Sequence, residues 1–212
     1  VTGVQPTEVV IIGAGTVGEF ATRSALGLGA SVKVFDNSVA RLRRLQNAVG
    51  NRVFTSVIQP KVLAKAIRRA DVAIGALRST VGKTPCVVSE DMVRQMKEGS
   101  VIVDVSIDQG GCFETSRVTN HNEPIFIQDG VGHYCVPNIA SRVSRTASFA
   151  LSNIFSPLLL DIGEQGSIND VIRFKTGFKD GVYMYKGVLT NEILGKVFEL
   201  PYQPLELLLP RQ

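Results

Sequence analysis

Long apolar runs are missing from this chain of 212 residues. No stretch approaches the ~18 consecutive apolar residues of a membrane span, so neither a spanning helix nor a membrane partner is expected. A basic start followed by a short apolar core is missing as well, so no secretory signal is expected. Cysteine is scarce: Cys86, Cys112 and Cys135 are widely spaced, odd in number and form no CxxC pair. The expectation is therefore a reduced, cytoplasmic protein without a disulfide framework or a structural zinc site, and with no metal assigned. Charge of one sign does not dominate either. The formal net charge of +4 is the balance of 23 basic and 19 acidic residues. The basic ones are scattered, apart from short clusters at Arg41–Arg44 and Lys65–Arg69, and no aromatics interleave with them as a nucleic-acid platform would require. Nucleic acid is not an expected partner.

What is present is an alternation of apolar strands with amphipathic helices. Residues 9–12, 31–36, 52–57, 71–77, 100–107 and 124–130 read as six strands. Between them, 17–28, 38–49, 60–70 and 89–96 read as helices, with Asn37 or Ser38 as the cap of the second and Pro60 opening the third. The run Ser100–Ile107 is almost wholly apolar, as befits a strand covered on both faces. This βαβ rhythm predicts an α/β fold, a Rossmann-type doubly wound parallel sheet. Beyond residue 143 the rhythm stops. Residues 145–163 read as a long helix containing Pro157, and 167–178 and 189–200 as two more, separated by a loop with glycine and tyrosine. The domain division predicted is 1–143 for the sheet and 144–212 for a helical appendage, whose apolar faces need something to pack against.

The first strand runs directly into Gly13-Ala14-Gly15-Thr16-Val17-Gly18. A GxGxxG run alone is a weak signal, because any tight strand-to-helix turn can need glycine. Here it follows a strand, opens a helix, and is answered by an acid, Asp36, at the end of the next strand about 20 residues on. Gly13 would permit the turn, Gly15 would let backbone approach a pyrophosphate, and Gly18 would let the helix pack on the strand. The free N–H groups at the helix start would face the anion. Asp36 would accept hydrogen bonds from the adenosine ribose and repel a 2′-phosphate, which favours NAD over NADP. Arg41 stands near where the adenosine end would lie, or is simply a solvated charge.

In an open parallel sheet the ligand lies past the carboxyl ends of the strands. The fifth strand delivers Asp108 there, followed by Gln109, Gly110 and Gly111, a placement hard to explain by packing; loop capping is the plain alternative. His133 and Asn138 fall in the loop after the sixth strand. His133 reads more readily as structural than catalytic, while the Asn138 amide could hold a carboxamide. Asp104, in mid-strand, is either a buried polar residue or near the surface. Cys112 and Cys135 have no activating base in view and read as small buried residues. Arg117 could pair with phosphate or with Glu114.

These last segments carry a resemblance. "SEDMVRQMKEGSVIVDVSIDQGGCFETSR" followed by "DGVGHYCVPNIASRVSRTASFALSN" resembles the alanine dehydrogenase family, which is related to the α chain of nicotinamide nucleotide transhydrogenase. The likeness runs from about Val9 through "DGVYMYKGVLTNEILGKVF", most of the chain. It implies an NAD-dependent enzyme interconverting L-alanine with pyruvate and ammonia, assembled in its family as hexamers built from dimers. Carried over by motif, Thr16 and Val17 would touch the pyrophosphate, Asp36 and Arg41 the adenosine end, and Leu77 and Arg78 the cofactor groove. Val105, Ser106, Ile107 and Asp108, with Val136, Pro137, Asn138 and Ile139, would surround the nicotinamide end, and Arg117 would lie nearby. Asp108 would be the catalytic carboxylate, relaying protons.

Two departures stand out. The loop after the fourth strand reads Arg78-Ser79-Thr80-Val81-Gly82 where the family has a Pro-Gly loop, and Pro137 and Ala140 replace more usual residues. The resemblance also implies that a preceding segment supplies most of the substrate domain, so the chain is expected to be the C-terminal part of a longer enzyme, inactive alone. A related amino-acid or opine dehydrogenase, a transhydrogenase subunit, and an NAD-sensing module without chemistry are the alternatives. Asp108 separates the last from the rest.

Overall fold

A computed structural model of the chain describes residues 2–50, 53–79, 82–165, 167–174 and 177–209. Arg52, the expected start of the third strand, Thr80 and Val81 of the departing loop, and Lys175 and Thr176 within the expected helix 167–178 lie outside the described residues. The chain divides into two compact units, Val1–Ile139 and Ala140–Gln212.

The first unit is built on seven strands: β1 (Glu8–Ile12), β2 (Ser31–Phe35), β3 (Phe54–Ser56), β4 (Val72–Gly75), β5 (Val101–Asp104), β6 (Ile125–Gln128) and β7 (Val131–Tyr134). Their order in the sheet is β3-β2-β1-β4-β5-β7-β6. All pairs are parallel except the last, where β6 runs antiparallel to β7. The order reverses between β1 and β4, which opens a crevice at their carboxyl ends. Helices α1 (Thr16–Gly27), α2 (Val39–Val49), α3 (Pro60–Ile67) and α4 (Glu90–Arg94) make the connections. Ile11 and Ile12 show why β1 reads apolar throughout. Ile11 packs with Val34, Leu42 and Leu45 on one face, Ile12 with Leu63, Ile67 and Ile102 on the other, and both are fully buried.

Helix boundaries follow local chemistry. The Ser38 side chain caps α2 by accepting from Arg41 N, and Gly50 ends that helix in the left-handed conformation at φ 65°. Gly27 is the last residue of α1, and Gly29, at φ 81°, takes the left-handed turn beyond it. Ser89 caps α4, with Glu90 and Asp91 in its first turn.

Two expectations for the sheet are corrected. The fifth strand stops at Asp104 instead of running to Ile107, and Val105–Gln109 winds into a 3-10 turn. The cause is the Asp104 side chain, which accepts from Ser106 N and caps that turn. The segment expected as one strand over 124–130 is the first arm of a hairpin. Asp129 and Gly130 both take positive φ, at 52° and 73°, and the chain returns as β7 between β5 and β6. His133 therefore lies on a strand, wholly buried, and not in a loop.

The second unit holds α5 (Ser144–Gln165), α6 (Ile168–Phe174), the two-residue strands β8 (Met184–Tyr185) and β9 (Val188–Leu189), α7 (Glu192–Val197) and α8 (Leu205–Leu208). The expected tyrosine-bearing loop is thus a small hairpin, turned by Lys186 and Gly187 at φ 48° and 82°. Its core is small: Ile172, Tyr185 and Leu205, with the Tyr185 hydroxyl donating to Asn169 Oδ1 at 2.8 Å. Among the described residues no helix is long and apolar enough to cross a membrane.

Candidate functional site

The glycine turn is held by contacts that leave no room for larger residues at two of its three positions. A Cβ on Gly13, whose φ is 118°, would lie 2.3 Å from Ala76 O, and one on Gly18 would lie 1.8 Å from Gly13 O. Backbone packs directly on backbone here, tying α1 to β1 and to the end of β4. Gly15 differs: nothing lies within 4 Å of its Cβ position. It is also the cap residue of α1 and provides no side-chain hydrogen bond to the helix start, so the first N–H groups of α1 stay available to an anion.

Asp36, 2% exposed, sits at the end of β2 with both oxygens engaged. Oδ2 accepts from Ala14 N at 2.8 Å and Oδ1 from Ser38 N at 2.7 Å. Arg41 Nη1 approaches Oδ2 at 3.5 Å from a largely exposed position. The carboxylate thereby clamps the glycine turn to the start of α2. Arg44 adds to the clamp, donating to Ala14 O at 3.3 Å. Its role has no signal in the sequence beyond its spacing from Arg41 on α2.

Past the ends of β1, β4 and β5 lies a cleft of about 260 Å³, lined by Val17, Ala76, Leu77, Arg78, Val105, Ser106, Asp108 and Gln109. Six of these were singled out from sequence; Ala76 and Gln109 were not. Gln109 joins two loops: its Oε1 accepts from Ser79 N at 3.1 Å, its Nε2 donates to Ser79 O at 3.3 Å, and its own carbonyl accepts from Thr84 N at 2.8 Å. Asp108 is exposed on the 3-10 turn, and its Oδ1 accepts from Asn138 N at 2.8 Å. Asn138 takes φ 52° to make that contact. The segment Val136–Ile139 thus lies against Asp108, with Val136 buried beneath and Pro137 and Ile139 half-buried. Ile107 is buried under the same turn.

Arg117 is not among the residues lining this cleft. Its guanidinium lies 4.1 Å from the centre of the Phe126 ring, which stacks on His133 at 4.7 Å. The His133 ring is satisfied on both sides, by Val131 O through Nδ1 and by the Thr115 hydroxyl through Nε2. Burial holds its pKa below the ordinary histidine value. A buried, satisfied, neutral imidazole supports a structural role. Burial raises the Cys112 thiol well above its usual range and raises Cys135 as well, in keeping with inert packing residues. Among the described residues no cluster of three or more potential metal ligands occurs.

The switch between β1 and β4, the glycine turn under α1 and the cleft beyond them define a Rossmann-like α/β domain of the nucleotide-binding class. The family described as alanine dehydrogenase/PNT, C-terminal domain, matches residues 1–192, and the chain belongs to it. It is 42% identical over 202 residues to an alanine dehydrogenase of Halomonas elongata, covering 95% of this chain and 54% of that protein. An alanine dehydrogenase of Methanococcus maripaludis is 42% identical over 207 residues, 97% of this chain and 55% of its own length. Among solved structures, an L-alanine dehydrogenase superposes with TM-score 0.85 at 38% identity, over 94% of this chain and 55% of that one. A transhydrogenase from Sinorhizobium meliloti superposes at 0.65 and 25% identity, over 75% of this chain and 46% of its own. The chain spans about half the length of the curated relatives it matches.

Proposed function

We propose that the chain is the NAD-binding part of an alanine dehydrogenase, which converts L-alanine, NAD and water to pyruvate, ammonia and NADH. The observation that carries this reading is the shared cleft: Val17, at the start of α1, and Asp108, beyond β5, line one hollow. The residues fit a dinucleotide. The open space over Gly15 and the uncapped start of α1 suit a pyrophosphate, with Thr16 and Val17 against it. Asp36 and Arg41 suit the adenosine end, Leu77 and Arg78 the groove, and Val105–Asp108 together with Val136–Ile139 the nicotinamide end, with Arg117 at the periphery. Bound NAD would accept the hydride leaving the alanine Cα.

The chain's own chemistry then falls to Asp108. Its Oδ1 is committed to the Asn138 amide, which leaves Oδ2 to take up and return protons as water adds to the imine carbon and ammonia departs. The reading assigns residues 1–143 to cofactor binding and 144–212 to the substrate domain of a longer protein. Exposed Phe149, Ile154, Phe155, Leu159 and Leu160 on α5 support homo-oligomer formation by that protein. The three free cysteines suit a cytoplasmic setting.

Calorimetry of the chain with NAD and with NADP tests the cofactor: NAD is expected to bind and NADP to bind more weakly. Absence of NAD binding, or a preference for NADP, would overturn the assignment. Asp108→Asn in the complete protein is expected to slow alanine oxidation about 10²- to 10⁴-fold; retained activity would refute the catalytic role given to Asp108.

A further inference from the structure

The most heavily invested polar group in the first unit is not in the cleft. Asp104, 1% exposed at the end of β5, receives hydrogen bonds from Ser106 N at 3.0 Å, Cys112 N at 2.9 Å and the Ser116 hydroxyl at 2.7 Å. No basic residue forms a salt bridge with it among the described residues. Space is cut out for it as well. A Cβ on Gly75 would lie 2.6 Å from its Oδ1, and one on Gly111 would lie 2.7 Å from its Oδ2. Burial raises its pKa, with the hydrogen bonds from Ser116, Cys112, Phe113 and Ser106 pulling the other way. A lone buried carboxylate is costly wherever an apolar residue would fill the space, so its donors matter.

Those donors lead to both sides of Asp108. Ser106 N lies in the 3-10 turn that carries Asp108, and Cys112 N fixes the far end of the Gly110-Gly111 bend that closes it. The Ser116 hydroxyl, held by Asp104, in turn accepts the Cys135 thiol at 3.6 Å. Cys135 opens the segment whose Asn138 N–H binds Asp108 Oδ1. We propose that Asp104 is the positioning residue for Asp108, fixing the 3-10 turn from below and, through Ser116 and Cys135, the segment that grips the Asp108 carboxylate. This rests on the catalytic reading of Asp108 given above.

Asp104→Asn and Ser116→Ala test it. Hydrogen exchange on the chain reads the geometry without turnover: in both variants the Asn138 amide should exchange faster, while Ile11 in β1 stays as protected as in the parent. In the complete protein, at a temperature where both variants are folded, kcat should fall about 10- to 100-fold for Asp104→Asn, the scale of a small misplacement of a reacting group. The alanine KM should stay near the parent value. In an Asp108→Asn background, adding Asp104→Asn should cost little more, since the two act as one unit. A lowered melting temperature with kcat and Asn138 exchange unchanged would make Asp104 a stability residue and overturn the proposal, as would full multiplication of the two losses. Should Asp104→Asn fail to fold, Ser116→Ala, which keeps the carboxylate, decides by the same readouts. Full activity in Asp108→Asn alone would refute the catalytic reading, and the exchange data would still decide whether Asp104 holds the turn.

Discussion

Gly18→Ala sets two effects of known size against each other. Within a helix, alanine is favoured over glycine by up to about 1 kcal/mol, so propensity alone predicts a more stable protein. The structure predicts the reverse. The new Cβ would stand 1.8 Å from Gly13 O and 2.8 Å from Gly13 C, both inside the 3.0 Å below which something must shift. What must shift is backbone, and Gly13 is itself pinned, donating to Phe35 O at 2.6 Å. Overpacking costs about 1–3 kcal/mol in cores that can adjust, and this one has little slack, so the upper end applies. Net of the helix gain, the loss is about 2 kcal/mol, which lowers the melting temperature of a chain this long by about 4–8 °C. NAD binding should weaken as well, because α1 can relieve the clash only by moving its N-terminus.

Gly15→Ala is the control. With φ −76° and nothing within 4 Å of the Cβ position, the fold should tolerate it, melting within about 2 °C of the parent while NAD binding weakens. Melting followed by circular dichroism, with calorimetry alongside, makes the comparison. A Gly18→Ala chain that melts at or above the parent's temperature would refute the backbone-on-backbone account of the turn.

Asp36→Ala should strip the hydrogen bonds from Ala14 N, which is buried, and Ser38 N, which is partly buried, and cost about 1–3 kcal/mol for the Ala14 amide left buried and unpaired; denaturant unfolding measures it, and a loss below that range would show that water fills the gap. His133 prefers the neutral form in the fold because burial lowers its pKa from 6.5. Its contribution to stability is complete above that value and is lost as pH falls from it through the folded-state pKa. Asp104, with a raised pKa, tilts in the opposite sense, so the comparison is between parent and variant: His133→Gln should lose less stability from pH 7 to pH 5 than the parent does. Equal losses would show that the imidazole titrates alike folded and unfolded. Of the three thiols, exposed Cys86 should be alkylated first and buried Cys112 last, as mass spectrometry of timed iodoacetamide digests would record; early loss of Cys112 would contradict its burial.

The glycine turn was legible in the sequence because its chemistry is local: spacing, a preceding strand and Asp36 suffice. The cleft was legible in outline because parallel strands deliver their following loops to one edge, which gathered Val17, Leu77, Arg78, Val105, Ser106 and Asp108. Arg117 was carried over by resemblance, and the structure engages it with Phe126 instead, a contact across β6 that no sequence spacing reveals. The end of β5 differs from the expectation because apolar character continues through Ile107, whereas the backbone obeys Asp104, whose side chain competes for the amides beyond it. For β7 a usable signal existed. Asp129-Gly130 between apolar segments is the strongest short hairpin cue, but the strand expected over 124–130 ends in that pair and the residues beyond it read as a loop. Gln109, Arg44 and Asp104 act through contacts between distant segments, so composition and periodicity do not mark them.

The hairpin at the sheet's edge has a consequence for how the chain can be altered. Because β6 descends and β7 climbs, the long stretch 105–124 and the short one 135–139 both surface on the rim that bears the cleft, without a crossover helix between them. Of this hairpin, only the Asp129-Gly130 corner lies on the opposite rim. A reporter dye or a short tag carried at that corner would stand on the rim opposite the cleft and would not crowd the ligand.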